Sequence, residues 1–196
     1  NLLRDYYEKF SNLPDAIAER AEQHEQEAIN RADALIYSSE WAAESAVSHY
    51  GAATSKISII PFGASLPTIP APRSRKPPEG KVRLLFIGVD WVRKGAATAV
   101  ATAEELRKRG VDATLTIVGC TPPPGVSLPA YVTNIPYLSK SDDHDFRALG
   151  RLFADADFFI LPTIAECTPI VFSEAAAYSL PVLTTDTGGI ASAVTD

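Results

Sequence analysis

Glu166 and Glu174 stand with seven residues between them in the run from Thr163 to Ala177. The run follows the apolar stretch Phe158–Leu161, so both acids fall where a buried strand gives way to a loop and then a helix. Thr168 is suited to cap that helix, with Pro169 at its first position, where a missing N–H costs nothing. The free amides of Ile170 and Val171 then project from the helix N-terminus and form a site for an anion such as phosphate. A carboxylate is not drawn to phosphate. Glu174, further into the helix, is therefore suited to accepting hydrogen bonds from sugar hydroxyls, while Glu166 sits in the loop at the mouth. Spacing alone leaves a plainer reading equally open, with Glu174 a solvated helix position and Glu166 an ordinary loop acid.

Other reactive side chains are less organised. His24, His49 and His144 stand alone and read as surface or packing residues. Cys167 adjoins Glu166 but has no positioned histidine, which disfavours a thiol nucleophile. The two cysteines, Cys120 and Cys167, lack metal-ligand spacing and suit a reducing, cytoplasmic setting. No G-x-G-x-x-G follows the first long strand, which argues against a nicotinamide dehydrogenase, and no Walker loop is present.

The elements that must position these groups fall into two regions. A stretch from Ile60 to Gly80 separates them; it carries Pro61, Pro67, Pro70, Pro72, Pro77 and Pro78, of 15 prolines in the chain, and reads as an extended linker. Before it, Asp15–Arg31 places Ile17, Ala21, His24, Ala28 and Ala32 on one helical face. A short strand at 34–37 follows, then a helix that Ser38 or Ser39 can cap and Gly51 can end. A further short strand at 56–60 has no evident sheet, and its partners are expected upstream in a longer chain. After the linker, strands at 82–87, 113–118, 132–138, 158–161 and 181–184 alternate with helices at 95–109, 142–156 and 169–179. Strands apolar on both faces, alternating with helices, predict a doubly wound α/β domain with a parallel sheet. Ligands bind such sheets at the C-terminal ends of the strands.

Composition bounds the function. The chain has 196 residues, 46% hydrophobic and 21% charged, an ordinary globular balance. A net charge of −6 argues against general nucleic-acid binding, which needs a basic surface. No apolar run approaches the roughly 20 residues of a membrane-spanning helix, and the first ten residues do not resemble a signal peptide. The chain begins at Asn1 and contains no Met, so it is expected to be a fragment.

The glutamate pair resembles the E-x7-E motif of the retaining family-4 glycosyltransferases, the group 1 enzymes of GT-B type. The stretch from Tyr178 to Gly189, with Pro181, Asp186, Gly188 and Gly189, is similar to that family's G-x-P-V-I-x-T-D-x-G-G, Ser179 standing where Gly is usual. Phe86, Ile87 and Gly88 look like its first strand, and Arg93, Lys94 and Gly95 like its KG loop. Ala32 to Glu40 and Ile59 to Gly63 resemble its interdomain segment. Val89 and Asp90 follow Gly88 where many relatives place Arg, and Arg93 is the candidate to substitute. Thr168 and Pro169 replace the family's common Phe-Gly.

The resemblance implies a division into three parts. Residues 1–60 would be the end of an N-terminal acceptor domain, 61–80 the linker, and 81–196 a Rossmann-like nucleotide-sugar-binding domain, incomplete at its C-terminus. It implies a role for each site residue. Lys94 and Arg93, beside Gly88, would hold the donor diphosphate and offset leaving-group charge. Glu166 would meet the transferred sugar's hydroxyls, Glu174 the ribose, and the amides of Ile170 and Val171, after Thr168, the phosphates. Tyr137 and Leu138 would flank the base. Neither a metal nor another cofactor is expected. The expected substrates are a nucleoside-diphosphate sugar, with UDP or GDP, and a sugar, lipid-linked or other hydroxyl acceptor. Any peripheral membrane contact belongs to the other domain. Hexosyl transfer with retention leads; a sugar-nucleotide epimerase of the same architecture, or a nucleotide-binding module without turnover, are the alternatives. These residues alone are expected to be inactive in transfer.

Overall fold

Leu84, Leu85 and Phe86 are consecutive, and none is more than 2% exposed. Successive side chains of a strand point to opposite faces, so the sheet that holds them is covered on both sides. The structure, a computed structural model, describes residues 10–72, 74 and 79–194. Asn1, Pro77 and Pro78 lie outside them.

The sheet has five parallel strands, β3 (Lys81–Ile87), β4 (Asp112–Val118), β5 (Val132–Ile135), β6 (Phe158–Leu161) and β7 (Val182–Thr184), in the order β5-β4-β3-β6-β7. The chain builds outward from β3 to β5, then crosses back to lay β6 on the other side of β3. The strand order reverses there, which is where doubly wound sheets open a ligand crevice. The doubly wound α/β expectation therefore holds. Strand β5 stops at Ile135, short of the expected Leu138, because Pro136 has no N–H to continue the ladder.

Helix α3 (Ala96–Lys108) packs on β3, β4 and β6. Its buried stripe is Ala96, Ala99 and Ala103, all at 0% exposure, and residues this small let the helix axis approach the strands closely. Helix α4 (Asp143–Asp155) starts at Asp142, whose side chain accepts from the amides of His144 and Asp145. It buries Leu149 and Phe153. Phe153 stacks on Phe159 of β6 at 6.1 Å and on Tyr178 at 5.2 Å, and Phe159 meets Phe172 edge-on at 6.0 Å. This cluster ties α4 and helix α5 (Ile170–Ala177) to β6. Helix α5 ends in a Schellman motif: Leu180 N donates to Ala175 O and Ser179 N to Ala176 O. Ser179 there has φ 54, the left-handed position for which glycine was expected.

The described residues divide into two units. One holds those up to Phe62, with Ala165–Pro169 and the segment from Thr187; the other holds Gly63–Ile164 and Ile170–Asp186. In the first, α1 (Asp15–Arg31), β1 (Leu35–Tyr37), α2 (Glu40–Tyr50) and β2 (Ile57–Ile59) follow one another. Ser39 caps α2 by accepting from Ala42 N, and Gly51 ends it at φ 66. Two expectations for this region need correction. The strand at 56–60 does have a partner here, since β1 runs parallel to β2 in the register Leu35↔Ile57. Helix α1 buries Ala18 and Ile29, whereas Ile17 is 54% exposed. Ile29 belongs to a small core with Ala46 and Ala52, and that packing overrides the repeat of alanines.

Candidate active site

Gly88 and Gly119 end the central strands β3 and β4, and neither has a side chain to fill the space beyond. A Cβ on Gly119, at φ 96, would stand 2.9 Å from Gly88 O. The two strand ends therefore approach backbone to backbone, and a cavity of about 430 Å³ opens beside them. Its walls include Ile87, Gly88, Val118, Gly119, Tyr137 and Leu138 from the strand ends and following loops. Helix α5 contributes Ile170, Val171 and Glu174. Phe146, Leu149, Gly150, Phe153 and Tyr178 form an apolar side. The size suits a small ligand, and the position is the one that a parallel sheet predicts.

Glu174 is the carboxylate of this wall, and it is 2% exposed. A buried carboxylate needs a partner, because losing its water shell is costly. Lys140 supplies one: its ammonium donates to Glu174 Oε1. Glu174 is therefore not the solvated helix position that spacing left open. Lys140 itself lines the cavity, and so do Ser65 and Leu66 from the proline-rich stretch. Part of that stretch therefore lines the cavity.

The loop after Gly88 holds the two expected cations. Lys94 runs its stem across Gly88, where an added Cβ would lie 2.9 Å from Lys94 Cγ. Arg93 Nε is 3.6 Å from Asp90 Oδ2, with the side chain only 15% exposed. Arg93 N also donates to Asp90 Oδ1 at 2.9 Å. Neither Arg93 nor Lys94 is a wall residue of the cavity. Lys94 reaches its edge at Gly88, while the guanidinium of Arg93 is engaged by Asp90. The loop is fixed from β6, since Thr163 Oγ1 and Ile164 N both donate to Arg93 O at 2.9 Å.

Glu166 and Thr168 belong to the other unit. There, Gly189 N donates to Glu166 O at 3.0 Å, and a Cβ on Gly188 would stand 2.1 Å from that oxygen. The two glycines of the Asp186–Gly189 stretch are thus required by the backbone around Glu166. Helix α5 begins at Ile170 rather than Pro169, and the Thr168 hydroxyl lies 2.7 Å from Ser38 Oγ.

The structure brings Gly88, Tyr137, Leu138, Ile170, Val171 and Glu174 to the wall of one cavity. Sequence reasoning missed Lys140, Gly119, Ser65 and Leu66. Gly119 carried a usable signal, since it directly follows the C-terminal end of a buried strand. Beside Gly119, burial pushes the Cys120 thiol up to about 11, with the Asp90 charge adding to it. Among the described residues, the one cluster with metal-ligand spacing is Asp142, His144 and Asp145, an α4 cap. No described helix is long and apolar enough to cross a membrane.

Residues 81–196 match the family described as glycosyl transferases group 1. The chain is 29% identical over 195 residues to D-inositol 3-phosphate glycosyltransferase of Paenarthrobacter aurescens, an alignment spanning 90% of this chain and 46% of that protein. It is 29% identical over 168 residues to glycogen synthase of Mycobacterium tuberculosis, spanning 85% and 40%. Among solved structures, a glycosyltransferase from Rickettsia africae aligns at TM-score 0.61 and 14% identity, over 94% of this chain and 52% of that one. WaaG, a glycosyltransferase involved in lipopolysaccharide biosynthesis, aligns at TM-score 0.56 and 24% identity, over 80% and 45%. These two likenesses concern the fold. The chain spans about half the length of the curated relatives it matches.

Proposed function

The chain belongs to the group 1 glycosyl transferases, and from that premise we propose that it carries the donor half-site of a hexosyltransferase. The reaction moves a hexosyl group from a nucleoside-diphosphate sugar to a hydroxyl acceptor, with retention at the anomeric carbon. The bond from that carbon to the diphosphate breaks, a bond to the acceptor oxygen forms on the same face, and the acceptor's hydroxyl proton passes to the departing diphosphate. The observation that carries this reading is the buried Glu174 in the wall of a cavity at the C-terminal ends of β3 and β4. An acceptor carboxylate of that kind suits hydroxyls rather than phosphate.

The roles divide by chemistry. Lys94, at the Gly88 edge, offsets charge on the departing diphosphate, together with the amides of Ile170 and Val171. Arg93 assists from behind Asp90. Tyr137, which is 69% exposed, and Leu138 flank the base. Glu174 takes the ribose. Glu166 is assigned to the hydroxyls of the transferred sugar, on the strength of its motif. Neither glutamate is assigned as a covalent nucleophile. The leaving group is balanced by these cations and amides, without a divalent metal. Transfer requires sequence corresponding to the other half of the relatives' length, and the 196 residues alone bind nucleotide without turnover.

Titration calorimetry with UDP and GDP, on wild type and Lys94→Ala, tests the reading. Wild type is expected to bind one of them, unchanged by a chelator, and Lys94→Ala to bind at least about tenfold more weakly. Binding of neither nucleotide by wild type would sink the assignment. An epimerase would release free nucleotide from the donor with no acceptor present, and a product assay separates the two.

A further inference from the structure

Lys140 sits on the turn between β5 and α4, and that turn is fixed at both sides. Ser139 N donates to Asp145 Oδ2 at 2.9 Å, while Asp142 Oδ1 accepts from His144 N and Asp145 N, each at 2.9 Å. The anchored turn delivers the Lys140 ammonium to Glu174 Oε1 across 34 residues of sequence. Both residues line the cavity, yet their surroundings differ. The Glu174 side chain is 2% exposed and that of Lys140 45%, so the carboxylate is the inner member of the pair and the ammonium the outer.

An ammonium has three donors, and a carboxylate has two acceptor oxygens. Their contact at Oε1 leaves donors on Lys140 and acceptor capacity on Glu174 side by side. That arrangement matches a vicinal diol: one hydroxyl donates to the carboxylate, and the oxygen of its neighbour accepts from the ammonium. A lone carboxylate would accept from either hydroxyl and discriminate less, because it offers nothing to an acceptor oxygen. A lone ammonium in the same place would favour phosphate instead.

We propose that Lys140 is a specificity-determining residue of the donor site, reading the ribose 2′- and 3′-hydroxyls jointly with Glu174. The inference rests on the reading of this cavity as a nucleoside-diphosphate site. The transferred hexose also presents vicinal hydroxyls, so the test compares ligands with and without it.

The experiment is calorimetry on the protein that carries this chain, at its natural length, with UDP, GDP, their hexose conjugates and the 2′-deoxy counterparts of each. Wild type is expected to favour the ribonucleotide by about tenfold. Lys140→Met should weaken ribonucleotide binding by about that factor while leaving the deoxy form within about twofold, and Lys140→Arg should keep most of the preference. Removing the lysine strands a buried carboxylate and can cost folding. The double variant Lys140→Met/Glu174→Gln carries no such charge, and it is expected to fold and to bind both forms alike. Equal weakening of both forms by Lys140→Met, or a double variant that retains the preference, overturns the proposal. So does a preference that appears only with the intact nucleotide sugar, which would move the diol to the hexose. If wild type binds neither UDP nor GDP, the donor reading itself falls. If it binds with a ribose preference that ignores Lys140, only this inference falls.

Discussion

Gly95 and Pro162 meet backbone to backbone: a Cβ on Gly95 would stand 2.0 Å from the Pro162 carbonyl oxygen. Gly95 also holds φ 76, a left-handed conformation that L side chains rarely adopt. Pro162 directly follows β6, so this contact sets the height of the Arg93–Lys94 loop relative to the end of that strand. The glycine in the KG pair is therefore a packing requirement. Gly95→Ala is expected to lower stability by at least about 2 kcal/mol, from the backbone conformation and the clash together. Urea denaturation measures it; an unchanged midpoint would show that the loop is not held there.

Ser179 runs the opposite way. Its φ of 54 makes it the non-glycine residue in a left-handed conformation among those described, at the position that closes the Schellman motif of α5. An L side chain there is strained by about 1–2 kcal/mol, and glycine gives some of that back through the entropy of the unfolded chain. Ser179→Gly is expected to stabilise by about 0.5–1 kcal/mol. A higher denaturation midpoint at unchanged slope is the expected result, and a lower midpoint would count against the strained conformation.

How far these features could be read beforehand depended on their range in sequence. Strands β3, β4 and β6 announce themselves as apolar runs, and Ser39, Asp142 and Gly51 mark helix ends by local chemistry that needs no tertiary information. The same holds for Gly88 and for the helix that carries Glu174. Lys140 was not legible, because nothing in the turn that bears it indicates a carboxylate 34 residues away. Helix α1 misled for a related reason. Its alanines repeat at helical spacing, but the face that is buried was decided by Ile29 meeting Ala46 and Ala52. Strands β1 and β2 are three residues each, too short for a pattern to name their partners.

The two thiols are expected to behave differently towards an alkylating reagent. Cys120 is 7% exposed, and burial pushes its thiol up to about 11, so it remains protonated and shielded near neutral pH. Cys167 is free and exposed. Iodoacetamide at about pH 8 should modify Cys167 alone in the native protein and both residues after denaturation. Intact-mass spectrometry counts the adducts, and peptide mapping assigns them. Native labelling of Cys120 would mean that the C-terminal end of β4 opens to solvent.

Gly88→Ala separates binding from folding. Its φ is not left-handed, and the atoms nearest to an added Cβ are Lys94 Cγ at 2.9 Å, Lys94 Cβ at 3.1 Å and Phe86 Cε1 at 3.3 Å. The lysine stem is flexible and can swing aside, so the loss of stability should stay below about 1.5 kcal/mol. Swinging aside removes the ammonium from the cavity edge, where the proposed diphosphate needs it. The variant is therefore expected to melt close to wild type yet bind UDP or GDP several-fold more weakly, on the order of 1 kcal/mol. Combined with Lys94→Ala it should add little further loss, because both changes remove one interaction. A double-mutant cycle by calorimetry reads this directly. Full additivity would mean that Gly88 acts through its own backbone and not through Lys94.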